Sequence, residues 1–190
     1  LLKIQKVSFR SRQKELSREE YLRLLFAAGE KKDQRLYYLM QTICATGIRV
    51  SELRFITAEA VKEGRAKVAL KGKVRTVLLP APLCRVLKKY MKERNIQKGS
   101  LFVTRRGRPL DRSNIWHEMK ALCEKAGVSR EKVFPHNLRH LFACTYYKKE
   151  KDLSHLADLL GHSSIDTTRI YTMVSGEEQS RRIAALGLVV

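Results

Sequence analysis

The sequence predicts a mainly α-helical domain with one small antiparallel β-sheet, an α+β fold. Most apolar residues after position 17 recur at helical spacing between capping residues, whereas the stretch 65–80 alternates like a β-hairpin. A chain of 190 residues with 44% hydrophobic content can bury a complete core, so disorder is not expected. We therefore expect one compact domain over 17–175, between a basic segment 1–16 and a tail 176–190.

The charge of the chain points to a polyanionic partner. It carries 39 lysines and arginines against 19 acidic residues, a net charge of +20, and the basic residues are spread along the whole chain. Such a surface favours nucleic acid, because phosphate neutralisation releases counterions. The alternative from charge alone is a basic structural protein, such as a ribosomal one.

The sequence also disfavours a membrane-spanning protein, a secreted protein and a disulfide-bonded protein. The sequence has no apolar run long enough to span a bilayer and no signal-peptide pattern. The cysteines lie far apart among apolar neighbours and form no CxxC pair, so we expect reduced core thiols in a cytosolic protein. They are Cys44, Cys84, Cys123 and Cys144.

Two helices with clear end signals open the domain. Ser17 and Glu20 form a capping box for the first helix, which Gly29 ends. Asp33 is expected to cap the second helix, which Gly47 closes. The residues of the second helix predicted to face the core are Leu36, Leu39, Met40 and Ile43.

Arg49 follows in a short helical piece directly after the second helix. An arginine between Ile48 and Val50 is awkward at a surface, but it is well placed if its guanidinium points into a cleft. Glu52, three residues later, either orients Arg49 or forms a routine pair on a helix face.

The middle of the chain combines the hairpin with basic turns. Strands are expected on both sides of a turn at 71–73, followed by an amphipathic helix over 82–95. A short strand is expected at the start of 101–110, and a helix over 111–127, capped by Asp111 or Ser113, carries Trp116 as a core residue. The predicted DNA-binding residues are Lys73, Arg75, Arg105, Arg106 and Arg108.

The last third of the domain contains three predicted helices. Pro135 begins the first, Gly161 ends the second, and Ser164 or Asp166 begins the third, which carries Tyr171. The residues of the first that we expect to face inward are Leu138, Leu141, Phe142 and Thr145.

Side chains suited to metal-free phosphodiester cleavage recur in these segments: Arg49, His136, Arg139, His162 and Tyr171. A tyrosine can attack phosphorus to give a covalent phosphotyrosine, arginines clamp the phosphate bidentately, and histidine titrates near neutrality. Each residue alone has an ordinary structural explanation, since Tyr171 could be core packing and His162 a plain helix cap.

A zinc site is a weak alternative for the histidine pair. His136 and His140 lie four residues apart on a predicted helix, but no third ligand or HExxH glutamate accompanies them. We therefore predict no metal.

The segments ATGIRVSEL, KGK, HNLRH and LLGHSSIDTTRIY, in their order and spacing, resemble the tyrosine recombinase (phage integrase) family over roughly 17–174. This resemblance implies a helical catalytic domain that forms a transient 3′-phosphotyrosine and a Holliday junction as a homotetramer on double-stranded DNA attachment sites. It also implies no metal, no cofactor, no small-molecule substrate and no membrane association, in the bacterial cytoplasm.

The resemblance assigns roles to individual residues. Arg49, Arg139 and His162 would hold the scissile phosphate, and His136 would assist the nucleophile Tyr171. Lys71 would protonate the leaving 5′ oxygen; Lys73 is the alternative, and we favour Lys71 because it ends the first strand.

The resemblance also suggests how the flanking segments work. Segment 1–16 is expected to be the linker from an N-terminal DNA-clamping domain, and the tail 176–190 to dock on a neighbouring protomer. The expected role is integration or excision of a mobile element, including transposition. The alternatives are a type IB topoisomerase-like nickase-ligase and a catalytically inactive DNA-binding module.

Overall fold

A computed structural model describes residues 14–70, 72–104, 106–162, 165–171, 181 and 184–186, with the backbone alone at Leu70, Lys73 and Asp166. Within these residues the chain forms nine α-helices and one two-stranded antiparallel sheet, which confirms the predicted fold class. The elements are α1 (Arg18–Gly29), α2 (Arg35–Thr46), α3 (Ala58–Glu63), β1 (Arg65–Leu70), β2 (Lys73–Leu78), α4 (Ala81–Glu93), α5 (Arg112–Lys120), α6 (Cys123–Ala126), α7 (Pro135–Glu150), α8 (Leu153–Leu160) and α9 (Asp166–Arg169), with 3₁₀ turns at Val50–Phe55 and Arg130–Lys132.

The capping signals at the start of the domain are confirmed with one shift. Ser17 Oγ accepts from the Glu20 amide at 3.1 Å, and the Ser17 amide donates to Glu20 Oε2 at 2.8 Å. Asp33 accepts from the amide of Arg35 at 3.1 Å, so it serves the start of α2 although Gln34 is the capping residue. Gly47 closes α2 in the left-handed region at φ 63°, where L-residues are disfavoured.

Helix α2 forms the centre of the domain and packs against α1, α4 and α7. The four core residues expected on it are at most 3% exposed, which confirms the helical periodicity of this segment. Burial of one such side chain contributes about 1.5–3 kcal/mol. The confirmed residues are Leu36, Leu39, Met40 and Ile43.

The hairpin is confirmed, and its register runs from Arg65 opposite Leu78 to Leu70 opposite Lys73. Gly72 occupies the turn at φ 73°. The buried residues Ala66, Val68 and Val77 place one face of the hairpin against the domain, whereas Val74 and Leu78 face solvent.

Two segments around the hairpin differ from the prediction. One is the additional helix α3 (Ala58–Glu63), which begins where Thr57 Oγ1 accepts from the Ala60 amide at 3.1 Å. In 101–110 the expected strand is wrong, because the described residues of this stretch form only the isolated pair Val103–Pro109.

The helix predicted over 111–127 is wrong as one unit, because it divides into α5 and α6. Trp116 is 41% exposed and therefore not a core residue. Ile115 and Met119 are the hydrophobic residues that α5 buries, and the ammonium of Lys120 lies 5.0 Å from the centre of the indole ring.

Helix α7 buries a partly polar face. Leu138 is buried as expected and Leu141 and Phe142 are half-buried, but Thr145 is exposed and its predicted inward orientation is wrong. The remaining buried positions of this helix after Pro135 are Asn137, Arg139, His140 and Ala143.

No helix in the described part of the chain is long and apolar enough to cross a membrane.

Candidate active site

The site is assembled around the C-terminal end of α8. Gly161 closes this helix at φ 62°, and its amide donates to Asp158 O at 3.0 Å. His162 follows immediately, with its amide 3.0 Å from Ala157 O. This end signal, predicted from the sequence, therefore fixes where the His162 backbone lies.

Three consecutive backbone carbonyls at this end accept hydrogen bonds from three arginines. The last carbonyls of a helix have no intrahelical donor and carry the negative end of the helix dipole, so they attract cations. The arginines come from three segments that are distant in the sequence. The pairs are Arg75 Nη1 to Leu159 O at 2.7 Å, Arg139 Nη2 to Leu160 O at 2.9 Å, and Arg49 Nη2 to Gly161 O at 3.4 Å.

Arg139 is the most deeply held of the three. The residue is 3% exposed, donates to Gly47 O at the end of α2, and places Nη2 3.1 Å from His162 Nε2. Burial, reinforced by the charge of Arg49, lowers the pKa of Arg139 to about 10, so it remains charged at neutral pH. Arg139 thus joins the ends of α2 and α8.

Arg49 is more open, with a side chain 39% exposed, and Glu52 orients it. The Arg49 amide donates to Glu52 Oε2 at 3.0 Å, and Nη1 to Oε1 at 3.1 Å. Burial by itself raises the pKa of Glu52, but hydrogen bonds from Arg75 and from the Arg49 amide outweigh it, and the pKa is lowered. Of the two sequence interpretations of Glu52, the structure favours the orienting one.

His162 is held as a neutral ring. Its Nε2 faces the donor-only guanidinium of Arg139, while Nδ1 lies 2.8 Å from Oγ1 of the fully buried Thr168. We assign the proton to Nδ1, because Nε2 must accept. Burial, and then the charges of Arg139, Arg49, Arg75 and His136, lower the pKa of His162 to about 4.

Tyr171 lies beside this cluster, 6% exposed. Its ring stacks on His162 with centroids 6.2 Å apart and an interplanar angle of 14°, and lies 5.1 Å from the ring of His140. The predicted position on a helix is wrong, because α9 ends at Arg169 and Tyr171 occupies the following turn. Its amide donates to Thr168 O at 3.0 Å, which ties the turn to the residue that orients His162.

A cleft of about 540 Å³ opens in front of Arg49, His136 and Arg139. His136 is exposed at the start of α7, as expected of a residue that meets a ligand. Tyr171 lies outside the lining of this cleft. The other lining residues are Ile48, Val50, Ser51, Leu110, Asp111, Arg112, Trp116, Phe134 and Pro135.

The residues predicted to bind DNA have different positions. Arg106 and Arg108 are exposed on a tight turn. Lys71, the expected general acid, and Arg105 lie outside the described residues, as does the side chain of Lys73. For these five residues the sequence-based roles stay predictions.

Arg75 does not fit the DNA contact expected of it. Its side chain is 16% exposed and directed inward, where Nη2 donates to Glu52 Oε2 at 2.6 Å and Nη1 to Leu159 O. The alternation of the hairpin offered a signal, because Arg75 falls on the same face as the buried Val77.

Thr168 is a residue of the site that the sequence did not predict. Nothing in the TT pair at 167–168 distinguishes the buried Thr168 from the exposed Thr167, because the distinction depends on how α9 packs beside His162.

His140 packs inside the domain, where it has a structural role. It is 2% exposed, and its Nε2 lies 3.3 Å from both Glu15 Oε1 and Cys144 Sγ. Among the described residues, no group of three or more histidine, cysteine, aspartate or glutamate side chains could hold a metal ion.

The electrostatics of the arrangement suit a phosphate. Three guanidinium groups stand against the one carboxylate of Glu52, which leaves two net positive charges while His162 is neutral. A phosphodiester carries one negative charge and gains another as a nucleophile adds to phosphorus. Preorganised charge of this kind stabilises such a transition state.

Comparison with known proteins gives one consistent result. Residues 14–178 match the profile of the phage integrase family. The chain is 36% identical over 176 residues to the tyrosine recombinase XerA of Thermococcus kodakarensis, covering 88% of this chain and 61% of the relative. It is 37% identical over 140 residues to the tyrosine recombinase XerH of Campylobacter jejuni, covering 70% of this chain and 40% of the relative.

Solved structures show the same relationship. A crystal structure of XerA recombinase superimposes with a TM-score of 0.75 at 28% identity, covering 100% of this chain and 68% of that chain. The crystal structure of XerH in a pre-cleavage complex with its difH substrate superimposes with a TM-score of 0.72 at 29% identity, covering 88% of this chain and 52% of that chain. Relative to the first curated matches, this chain spans about three fifths of their length, 61% and 63%.

Proposed function

The chain belongs to the phage integrase family, and from that premise we propose that it acts as a tyrosine site-specific recombinase on double-stranded DNA. The observation that carries the proposal is the convergence of Arg49, Arg139 and His162 on the end of α8, beside the ring of Tyr171. A protein that only binds DNA has no need of a tyrosine packed against a phosphate-binding cluster.

The proposed first step is a transesterification. The Tyr171 oxygen attacks phosphorus, the bond from phosphorus to the 5′ oxygen breaks, and the enzyme is left joined to the 3′ phosphate. His136 takes the phenolic proton, and Lys71 gives a proton to the leaving 5′ oxygen. Because the phosphotyrosine keeps the energy of the broken bond, a 5′ hydroxyl can reverse the step on the same or another strand.

Arg49 and Arg139 clamp the non-bridging oxygens in this scheme, and His162 completes the clamp. His162 must present an N–H to the phosphate, although its Nε2 accepts from Arg139 without DNA. A phosphate anion beside the ring favours the charged imidazolium and so provides that second N–H.

The larger assembly is part of the same proposal. We propose a homotetramer on paired attachment sites, working on DNA in the cytoplasm or nucleoid, in the movement of a mobile element. Segment 1–16 would link to a DNA-clamping domain, and the tail 176–190 would dock on the next protomer. The 63% exposure of Leu186 supports a tail that meets another surface.

The test is covalent trapping. The protein is incubated with a pool of nicked duplexes in which cleavage releases a short strand and so prevents religation, and SDS-resistant adducts are counted. Wild type should form an adduct that maps to Tyr171, and Tyr171→Phe should form none. Tyr146→Phe is the matched control, because Tyr146 lies outside the site and its hydroxyl contacts His155 at 2.9 Å.

Three results would contradict the proposal. An adduct that persists in Tyr171→Phe would show that the nucleophile is another residue, and no adduct from wild type on any sequence of the pool would favour an inactive DNA-binding module. Relaxation of supercoiled plasmids irrespective of sequence would favour the topoisomerase-like alternative.

A further inference from the structure

Arg75 on the hairpin is an arginine whose side chain is directed inward and is only 16% exposed. Arg75 pairs with Val68 across the sheet and shares its face with the buried Val77. A cation on an apolar face is stable only when its hydrogen-bonding groups are satisfied inside the protein.

The partners of Arg75 belong to the cleavage site. Nη2 lies 2.6 Å from Glu52 Oε2, and Nη1 lies 2.7 Å from Leu159 O. Its aliphatic stem packs against Gly161 so closely that a Cβ there would overlap Arg75 Cδ. The Nε atom is shielded from solvent and has no hydrogen-bond partner among the residues that the structure describes, so this part of the guanidinium is enclosed by the protein.

These contacts join three separate segments. β2 carries Arg75, the 3₁₀ turn carries Glu52, and the end of α8 leads directly to His162. A planar guanidinium can bond a carboxylate and a carbonyl at once with fixed geometry, whereas a lysine ammonium cannot reproduce that fork.

Glu52 is shared between two arginines. Its Oε2 accepts from Arg75 and from the Arg49 amide, while Oε1 accepts from Arg49 Nη1. Loss of Arg75 would leave Arg49 as the remaining ion-pair partner of this buried carboxylate. The Arg49 guanidinium would then be drawn toward Glu52 and away from a ligand in the cleft.

We infer that Arg75 is a positioning residue of the recombinase reaction, which holds Arg49 through Glu52 and holds the Gly161–His162 turn through the Leu159 carbonyl. The inference rests on the proposed function. It replaces the DNA contact expected of Arg75 by an internal one that acts on the covalent step.

The experiment compares Arg75→Met with Lys67→Met. Methionine keeps an unbranched apolar stem without charge, and Lys67 is exposed on β1, on the other face of the hairpin. Each variant is measured for binding to a random-sequence duplex over a range of salt concentrations. Its rate of adduct formation is measured on the nicked pool at saturating DNA.

Arg75→Met should keep the salt dependence of binding seen in wild type while its adduct rate falls about 10²-fold, as when a preorganised donor is lost. Arg75→Lys should not restore the rate beyond about a tenth of wild type. Lys67→Met should keep the wild-type adduct rate.

Three outcomes would overturn the inference. A salt slope reduced by about 1 with a normal adduct rate would make Arg75 a phosphate contact. An adduct rate equal to that of wild type would leave it no role in cleavage. Loss of both DNA binding and the melting transition in Arg75→Met and Arg75→Lys alike would make it a folding residue.

A double-mutant cycle gives a second measurement. If Arg75 acts through Arg49, then Arg75→Met should slow an Arg49→Lys protein by a much smaller factor than it slows wild type. Equal factors in both backgrounds would contradict coupling. Failure of wild type to form any adduct would instead contradict the proposed function, so the two failures are distinct.

Discussion

Two sets of arginines in this molecule use the same side chain in opposite ways. Arg49, Arg75 and Arg139 are fixed by carbonyls at the end of α8, whereas Arg106 and Arg108 are exposed on a turn. Exposed cations add affinity for DNA that salt screens. Fixed guanidinium groups add little to general affinity, but their geometry can match one phosphate and its transition state.

The apolar packing beside the three fixed arginines is also limited. The end of α8 and Tyr171 belong to a small hydrophobic cluster with Ala143, Leu156 and Leu160, separate from the main core around α2. A small cluster contributes less burial than a large one, so we expect this half of the site to open more readily than α2. The geometry of the site therefore depends on polar bonds across the end of α8 more than on apolar packing.

The substitution Arg139→Lys should show the contrast most strongly. One ammonium cannot replace the bonds to Gly47 O, Leu160 O and His162 together, and each buried carbonyl left without a donor costs about 1–3 kcal/mol. The adduct rate should fall about 10²–10³-fold. Arg106→Lys, the exposed control, should keep the wild-type rate; equal losses in both variants would remove the distinction between the two sets.

The glycine that ends α8 offers the next test. Gly161→Ala and Gly127→Ala both place alanine in the left-handed region, at φ 62° and 60°, which costs about 1–2 kcal/mol in each case. A Cβ at Gly161 would also overlap Arg75, whereas nothing lies within 4 Å of one at Gly127. Chemical denaturation should show a larger loss of stability for Gly161→Ala, and its adduct rate should fall while that of Gly127→Ala does not. Equal destabilisation and equal rates would mean that the contact with Arg75 is not restrictive.

Two adjacent threonines, Thr167 and Thr168, allow a test of how His162 is oriented beside the fixed arginines. Thr168→Val removes the acceptor of His162 Nδ1 and leaves a polar group unpaired at a cost of about 1–3 kcal/mol. We expect a reduced adduct rate, about tenfold per 1.4 kcal/mol of lost orientation, and recovery in Thr168→Ser. Thr167→Val, at an exposed position, should behave as wild type. A normal rate in Thr168→Val would show that the hydroxyl does not orient His162.

The lowered pKa of His162 should also change how the free energy of unfolding depends on pH. The pKa of His162 is about 4 in the folded protein against 6.5 for an ordinary histidine, because of burial and the neighbouring arginines. Between these values the unfolded chain binds the additional proton, so the free energy of unfolding should rise as pH rises from about 4 to about 6.5. Denaturant titrations should show a smaller rise in His162→Asn than in wild type, and an unchanged rise in the exposed control His117→Asn. The same slope in all three proteins would contradict the neutral assignment of His162.

Local signals made part of this fold predictable. The capping box at Ser17, the left-handed closures at Gly47 and Gly161 and the hairpin turn are set by neighbouring residues, and each appears where it was expected. The predictions failed where longer-range packing competes with local pattern. Trp116 is exposed because α5 turns Ile115 inward instead, a choice that helical spacing alone does not make.

The site was predictable by residue type more than by geometry. The sequence pattern selected five residues, and the structure brings all five to one end of α8 and its adjoining cleft. They are Arg49, His136, Arg139, His162 and Tyr171. Residue type alone did not separate an arginine that faces DNA from one that faces the protein, although the alternation of the hairpin places Arg75 on the face of the buried Val77.

The sequence by itself determined the charge of the surface, the helix ends and the types of side chain available for phosphate chemistry, since these depend on composition and near neighbours. Tertiary structure decided that Arg75 shares Glu52 with Arg49, that Thr168 orients His162, and that Tyr171 lies beyond α9. The physical reason is distance along the chain. Segments that meet at the end of α8 are joined only by the packing of the hairpin, α2 and α7 around it, and that packing is a property of the whole core.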